Sequence, residues 1–260
     1  MQPSAPQPAS RFSNRVNDYV RYRPSYPAAV IECLSREFGL KPTHRIADIG
    51  SGTGIFTELL LKNGNTVHAV EPNREMRRAA QAALATFPGF VSVSGSAEAN
   101  TLPDASVDWI TAAQAFHWFD VEKARREAQR ILRPPGYAAL IWNNRREDAT
   151  PFLREYEAFL HEHAIDYAKV KHQNAEADGR IPQFFGTRSF DVRSFDNAQV
   201  CDLDGLKGRT TSASYMPAED HPRFPAMIYA LEALFARHAS GGTVFLEYYT
   251  KLYVGRMMML

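Results

Sequence analysis

From about residue 43 to 142, short apolar runs alternate with helix-periodic stretches, the pattern of an open α/β sheet. Arg45–Ile49 reads as a first buried strand, stopped by Gly50. Ile55–Lys62 reads as a helix closed by Asn63 and Gly64, where glycine takes the left-handed C-terminal conformation without strain. Residues 66–70 read as a second strand. Met76, Ala79, Ala80, Ala83, Leu84 and Phe87 then recur at helical spacing and make one apolar face. Residues 90–93 and 107–110 read as the third and fourth strands. Asp120 is placed to cap a helix whose inner face is Val121, Ala124, Ala128, Ile131 and Leu132, ended by Pro134-Pro135-Gly136. Residues 137–142 read as a fifth strand. Five β/α units with short connections require a mostly parallel sheet covered on both faces.

The flanks follow the pattern less closely. Residues 11–40 carry arginine- and tyrosine-rich helical material, then a proline-bounded helix from Pro27 to Leu40 that ends at Gly39. After Trp142 a polar helical stretch reaches about residue 180 and reads as an insertion that covers the site. Residues 190–195 and 243–254 read as late strands around a helix carrying Met227, Leu231, Leu234 and Phe235. The expected division is therefore 1–42 as tail and helical cap, 43–142 as ligand-binding core, 143–187 as helical insertion, and 188–260 as strands and helices completing the sheet. No internal repeat is visible, and residues 256–260 offer no functional reading.

Composition narrows the classes. The 260 residues carry 30 Lys+Arg against 29 Asp+Glu, a net charge of +1, which removes the electrostatic ground for a general nucleic-acid coat protein. A content of 45% hydrophobic and 23% charged residues suits a globular protein with a full core. No apolar stretch approaches the ~18–20 residues that span a bilayer. Residues 1–10 lack a charged leader and an apolar run, so they read as a disordered tail and not a signal peptide. Cys33 and Cys201 cannot build a disulfide framework or a multi-thiolate metal site. A reduced, cytoplasmic setting is expected.

The most informative run is Ile46-Ala-Asp-Ile-Gly-Ser-Gly-Thr-Gly54, at the junction of the first strand and its helix. Alternate glycines let the backbone turn tightly against a ligand, at the carboxyl end of a strand, where open α/β sheets bind ligands. A P-loop is excluded because no Gly-Lys-Ser/Thr follows. A dinucleotide fingerprint needs glycine at its sixth position, and counting from Gly50 that position is Ile55. Asp48 argues further: a carboxylate beside the loop repels a pyrophosphate and attracts a cation. S-adenosylmethionine carries a sulfonium and an ammonium group and no phosphate. Glu71, at the end of the second strand, can accept both hydroxyls of a ribose, a feature that suits NAD equally. Gly95-Ser-Ala-Glu98 can frame an adenine edge, and Met76 can press on its face with a polarizable side chain. Glu71 as a solvated strand end and Met76 as a plain core residue are the alternatives.

Ala47-Asp-Ile-Gly-Ser-Gly-Thr-Gly54, Val70-Glu-Pro-Asn73, Gly95-Ser-Ala-Glu98 and Ile131-Leu-Arg-Pro-Pro-Gly136 resemble the ordered motifs of class I S-adenosylmethionine-dependent methyltransferases. The runs 18–27 (Asp18 to Pro27), 112–120 (Ala112 to Asp120), 206–215 and 249–255 are similar to the trans-aconitate methyltransferase-like branch, also called methyltransferase type 11. The resemblance implies a Rossmann-like, doubly wound, mostly parallel seven-stranded sheet with an antiparallel last strand and helical additions. It implies that Gly50, Ser51, Gly52 and Gly54 wrap the methionine and ribose parts of the cofactor. Asp48 would neutralise its amino group, Glu71 with Pro72 and Asn73 would hold the ribose, and Met76, Ser96, Ala97 and Glu98 would frame the adenine. Many relatives carry Asp where Ser96 stands; a hydroxyl is a weaker acceptor, which shifts adenine recognition toward Glu98 or backbone carbonyls.

Residues 114–120 follow the fourth strand and sit beside the expected reaction centre. Gln114 is a candidate partner for the methionine part, and Ala115 leaves room for a methyl group. His117 has two readings, a proton acceptor or orienting donor, or a structural histidine between Phe116 and Trp118. Trp118 and Phe119 read as cleft lining, Trp118 standing with His117 and Gln114 as a candidate catalytic residue and Trp142 with His117 as a candidate for contact with the acceptor. Arg23, whose backbone Pro24 restrains, can pair with the cofactor carboxylate if the amino-terminal segment folds over it, with Tyr22 beside the substrate. Arg145 and Arg146 either meet an acidic substrate or are solvated. Tyr215, Tyr248 and Tyr253 are weaker candidates for pocket walls. His161 and His163 have no cysteine partner and no HExxH spacing, so no metal is expected.

Methyl transfer needs alignment and a dry site more than acid–base chemistry. A carboxylate acceptor, with a pKa of ~4, is already ionised and needs no base. The expected function is a methyltransferase acting on a small molecule, as a monomer or homodimer, with a carboxylate acceptor on family analogy. The rivals are methylation of a phenol, amine or carbon, a non-catalytic cofactor-binding regulatory protein, and a nicotinamide-dependent oxidoreductase.

Overall fold

The strands run outward from the centre and then jump back across it. In the computed structural model, which describes residues 21–167, 179–186 and 190–257, the strands are β1 (Arg45–Ile49), β2 (Thr66–Glu71), β3 (Phe90–Ser94), β4 (Val107–Ala113), β5 (Leu132–Arg145), β6 (Asp191–Cys201) and β7 (Val244–Arg256). They form one sheet in the order β3-β2-β1-β4-β5-β7-β6. β1 to β5 pair in parallel, and β7 lies antiparallel between β5 and β6. This is the doubly wound sheet with an antiparallel last strand that the sequence predicts. The order reverses between β1 and β4, so the crevice at their carboxyl ends is the place for a ligand.

The helices are α1 (Ala29–Phe38), α2 (Ile55–Lys62), α3 (Arg74–Leu84), α4 (Val121–Ile131), α5 (Pro151–His163), α6 (Arg180–Phe185), α7 (Leu203–Thr211) and α8 (Phe224–His238). Strand alternation assigns the core to two faces. Ala47 and Ile49 of β1 enter a cluster with Ala124 and Ile131 of α4 and Phe184 of α6. Ile46 enters the opposite cluster, with Val30 and Leu34 of α1 and Leu60 of α2. A third cluster joins Leu153 and Tyr156 of α5, Leu206 of α7, Leu231 of α8 and Tyr248 of β7. The two described helices of 143–187 thus go to different places: α5 packs with α8, and α6 packs on α4. Residues 1–20, 168–178, 187–189 and 258–260 lie outside the described residues, and with them the expected tail, the first part of the arginine- and tyrosine-rich segment, part of the insertion and the chain end.

Several boundaries differ from expectation. α3 stops at Leu84, and Phe87 falls in the following turn, its N–H donating to the Leu84 carbonyl. α4 stops at Ile131, because Leu132 pairs with Val107 and begins β5. The sheet ladder captures that residue, so Pro134, Pro135 and Gly136 lie inside the strand run instead of before it. α7 escapes the periodicity altogether: Gly205 and Gly208 lower its intrinsic helicity, and it is started instead by Asp202, which accepts from Gly205 N at 2.7 Å.

Candidate functional site

Past Ile49 the chain turns over the end of β2, with Gly50 N and Ser51 N both donating to the Val70 carbonyl, at 2.8 and 3.1 Å. Gly50 has φ +69°, and a Cβ there would stand 2.6 Å from Ala115 Cβ. Only glycine permits both the left-handed backbone and this approach to the β4 loop. Gly54, at φ +88°, lies so close to α3 that a Cβ would meet Leu84 Cδ1 at 2.6 Å. The packing glycine that a count from Gly50 places at position 55 is therefore supplied one residue earlier, against a helix.

Asp48 is buried beneath the loop, 1% exposed. Its two oxygens accept from Thr57 Oγ1 at 2.6 Å and Thr111 Oγ1 at 2.7 Å. Burial pushes its carboxyl up to about 6, and the two hydroxyls hold it back from rising further. At neutral pH it is an anion with lone pairs to spare. Glu71 accepts from Gly52 N (3.0 Å) and Asn73 N (2.8 Å), so it braces the loop from the end of β2. Burial raises its pKa against the pull of those two N–H groups.

On the β4 side, Gln114 holds φ +54°, a strained position for a residue with a side chain. Its Nε2 donates to the Asn143 carbonyl at 3.2 Å, while its Oε1 is buried without a partner among the described residues. Asp48, Gly50, Ser51, Gly52 and Gln114 converge on about 370 Å³ of open space. Tyr26 and Phe56, which sequence reasoning did not single out, complete its wall, their rings edge-to-face at 5.2 Å. The prolines at 24 and 27 that bracket Tyr26 were the available signal.

The remaining candidates lie around this crevice or apart from it. Asn73 caps α3 by accepting from Met76 N at 3.0 Å, and Met76 is buried. Pro72 offers its carbonyl to Arg77 at 2.8 Å. The Ser96 hydroxyl accepts from the N–H groups of Glu98 and Ala99, at 3.3 and 3.2 Å, and so holds its own turn. Glu98 accepts from Asp120 N at 2.9 Å. Ala97 opens on an apolar recess of about 280 Å³, shared with Ile49, Phe119 and Phe184. His117 and Trp118 occupy one 3-10 turn with their rings 4.8 Å apart, and Arg180 of α6 donates to the carbonyls of His117 and Phe119.

Trp142 faces the core, against Phe116 and Tyr253, and its indole N–H has no partner among the described residues. Tyr22 and Arg23 lie on α7: the Tyr22 ring covers Gly208, and Arg23 donates to the Ser212 carbonyl at 3.0 Å. Arg145 is buried and pairs with Glu157 and the Tyr167 hydroxyl. Arg146 is half-buried and pairs with Glu247 at 3.2 Å. Among the described residues no group of three or more His, Cys, Asp and Glu side chains is placed to hold a metal ion, and no helix is long and apolar enough to cross a membrane.

Residues 47–140 match the family described as methyltransferase domain. Over these residues the chain is similar to methyltransferase domains, and its sheet order and glycine loop agree with the S-adenosylmethionine-binding class that its motifs resemble. An uncharacterized methyltransferase of Mycobacterium bovis is 42% identical over 136 residues, which cover 52% of this chain and 53% of that protein. An uncharacterized methyltransferase-like protein of Schizosaccharomyces pombe is 35% identical over 150 residues, 57% of each. The chain thus spans about half the length of the curated relatives it matches. In fold, it is similar over 92% of its length to the whole of a putative type II methyltransferase from Anaeromyxobacter dehalogenans, with a TM-score of 0.62 at 24% identity.

Proposed function

We propose that this chain transfers a methyl group from S-adenosylmethionine to a small molecule, and that the acceptor atom is a carboxylate oxygen of a trans-aconitate-like acid. The observation that carries the donor is the buried Asp48 carboxylate under a left-handed glycine loop, a crevice that favours a cation and disfavours a pyrophosphate. Gln114, whose Oε1 is buried without a partner among the described residues, lines the same space. When bound, the cofactor supplies an activated methyl on a positively charged sulfur.

The chain's own residues do the rest by placement. Asp48 and Gln114 would hold the amino group, Glu71 the ribose, and Met76, Ala97 and Glu98 the adenine. Ala115, pressed on Gly50, keeps the β4 side low so that an acceptor can approach. His117 and Trp118 would border the acceptor and exclude water. A carboxylate acceptor needs no proton removed, so this reading requires no general base. The reading takes the protein as cytoplasmic, monomeric or homodimeric, with no nucleic-acid or membrane partner.

Calorimetry with S-adenosylhomocysteine and with NAD tests the donor, and labelled methyl transfer to a panel of acids, phenols and amines tests the acceptor. The expected result is binding of the thioether alone, with label recovered in alkali-labile esters. Tight binding of NAD instead would reject the donor; label confined to phenols or amines would reject the ester.

A further inference from the structure

Beyond the crevice, the same side of the sheet carries a second polar cluster, outside the methyl-transfer machinery. Asn143 and Arg145 are two residues apart on β5, so they project to one face roughly 7 Å apart. Asn143 is tied to the crevice: its carbonyl accepts from Gln114, and its side chain donates to the Ser25 carbonyl at 3.2 Å and accepts from Thr250. Arg145 lies over the Tyr156 ring at 5.2 Å, with its charge balanced by Glu157.

Arg209 of α7 is different. It is 8% exposed, and among the described residues its hydrogen bonding is limited to one long contact, Nε to the Tyr248 hydroxyl at 3.4 Å. No carboxylate among the described residues pairs with it. Tyr248 stands opposite Arg145 in the β5–β7 ladder, and the neighbouring Thr210 hydroxyl is bonded to Tyr156 at 2.9 Å. Tyr215 lies within electrostatic range of both guanidinium groups. The segment from Tyr22 to Tyr26 runs from α7 to the crevice wall: Tyr22 covers Gly208, and Tyr26 faces the glycine loop. Two arginines and one glutamate, enclosed by tyrosines, leave one positive charge uncompensated among the described residues, and the cluster is joined to the crevice through the Tyr22–Tyr26 segment and Asn143.

A guanidinium stays protonated at any pH the fold survives, and burying it unpaired is unfavourable. Tyrosine hydroxyls supply dipoles but no counter-charge. We propose that Arg209 anchors an anionic group of the methyl acceptor, a carboxylate or similar oxyanion distinct from the oxygen that is methylated. This deepens the carboxylate reading above and rests on it. An oxygen gripped by a guanidinium is a poor nucleophile, so the anchored group and the reacting group are separate, and the acceptor carries at least two negative charges. An acceptor lacking the second charge leaves Arg209 buried and unpaired, which gives strong discrimination.

The test is thermal denaturation of the full chain in rising citrate or succinate against sodium chloride of equal ionic strength, with and without S-adenosylhomocysteine. The native chain is compared with Arg209→Met, Arg209→Lys and Tyr248→Phe. We expect a saturable rise in Tm of the native chain beyond that in chloride. Arg209→Met should weaken the apparent affinity for the acid at least tenfold, and Arg209→Lys and Tyr248→Phe should weaken it several-fold. If Arg209→Met does not fold, the other two variants carry the comparison. An equal response in native and variant chains, or no response of the native chain beyond chloride, overturns the proposal. A chain that responds to the acids and not to S-adenosylhomocysteine keeps the anion site and loses the methyl-transfer reading.

Discussion

In the proposed reading, Asp48 links stability and binding with opposite signs. Its carboxyl titrates near 6 instead of its ordinary 3.8, because burial disfavours the anion more than the two threonine hydroxyls favour it. That difference corresponds to about 3 kcal/mol of stability, fully present below pH ~4 and lost as pH rises through about 6. Cofactor affinity runs the other way, since the ammonium group needs the carboxylate ionised. S-adenosylhomocysteine should therefore bind more weakly at pH 5 than at pH 7.5, and Asp48→Asn should bind weakly at both. Equal native affinity at the two pH values in calorimetry would contradict this role. The loop glycines should separate by contact. Gly52→Ala meets nothing within 4 Å and carries only backbone strain, about 1 kcal/mol, whereas Gly50→Ala adds a 2.6 Å collision with Ala115. Urea denaturation should rank Gly50→Ala as clearly the more destabilising.

At the scale of the element, two helix caps of the same kind differ in what they support. Asn73 caps α3 beside Glu71, and Thr150 caps α5 by accepting from Leu153 N at 3.1 Å. Replacing either by alanine should lower stability by about 1 kcal/mol. Asn73→Ala should also weaken S-adenosylhomocysteine several-fold, because the start of α3 and the Glu71 turn move together. Thr150→Ala should leave cofactor affinity unchanged, and calorimetry on both variants checks the split. The elements legible in the sequence are those with a clean local signal. β1 and α2 take their expected bounds because an apolar run and a glycine stop are properties of neighbouring residues. α7 was illegible because its glycines erase the helical signal, and its packing under Tyr22 is supplied from almost two hundred residues away.

Across the whole molecule, Asn143 binds four parts of the chain. Its side chain donates to Ser25 ahead of α1 and accepts from Thr250 of β7 and Asn197 of β6, while its carbonyl takes Gln114 from the β4 loop. Asn143→Ala takes the acceptor from the Thr250 hydroxyl and leaves the Ser25 carbonyl with the Asn197 amide, so it should cost about 1–3 kcal/mol. It should also loosen the amino-terminal segment that walls the crevice. Amide hydrogen exchange should then speed up around residues 22–26 and leave β1 to β3 protected. Unchanged exchange in that segment would show that its apolar packing suffices.

The amino-acid order by itself determined the parallel sheet, the crevice at the end of β1 and the sign of the charge that crevice prefers. Each depends on local spacing: apolar alternation, glycines at adjacent turns, and a carboxylate two residues before them. Tertiary structure decided which polar groups are enclosed. Trp142 turned into the core, Tyr26 came to the loop, and Arg209 was sealed among tyrosines from α5, β7 and the segment before α8. Burial of a charge is set by every element that closes around it, and no window of neighbouring residues contains that sum.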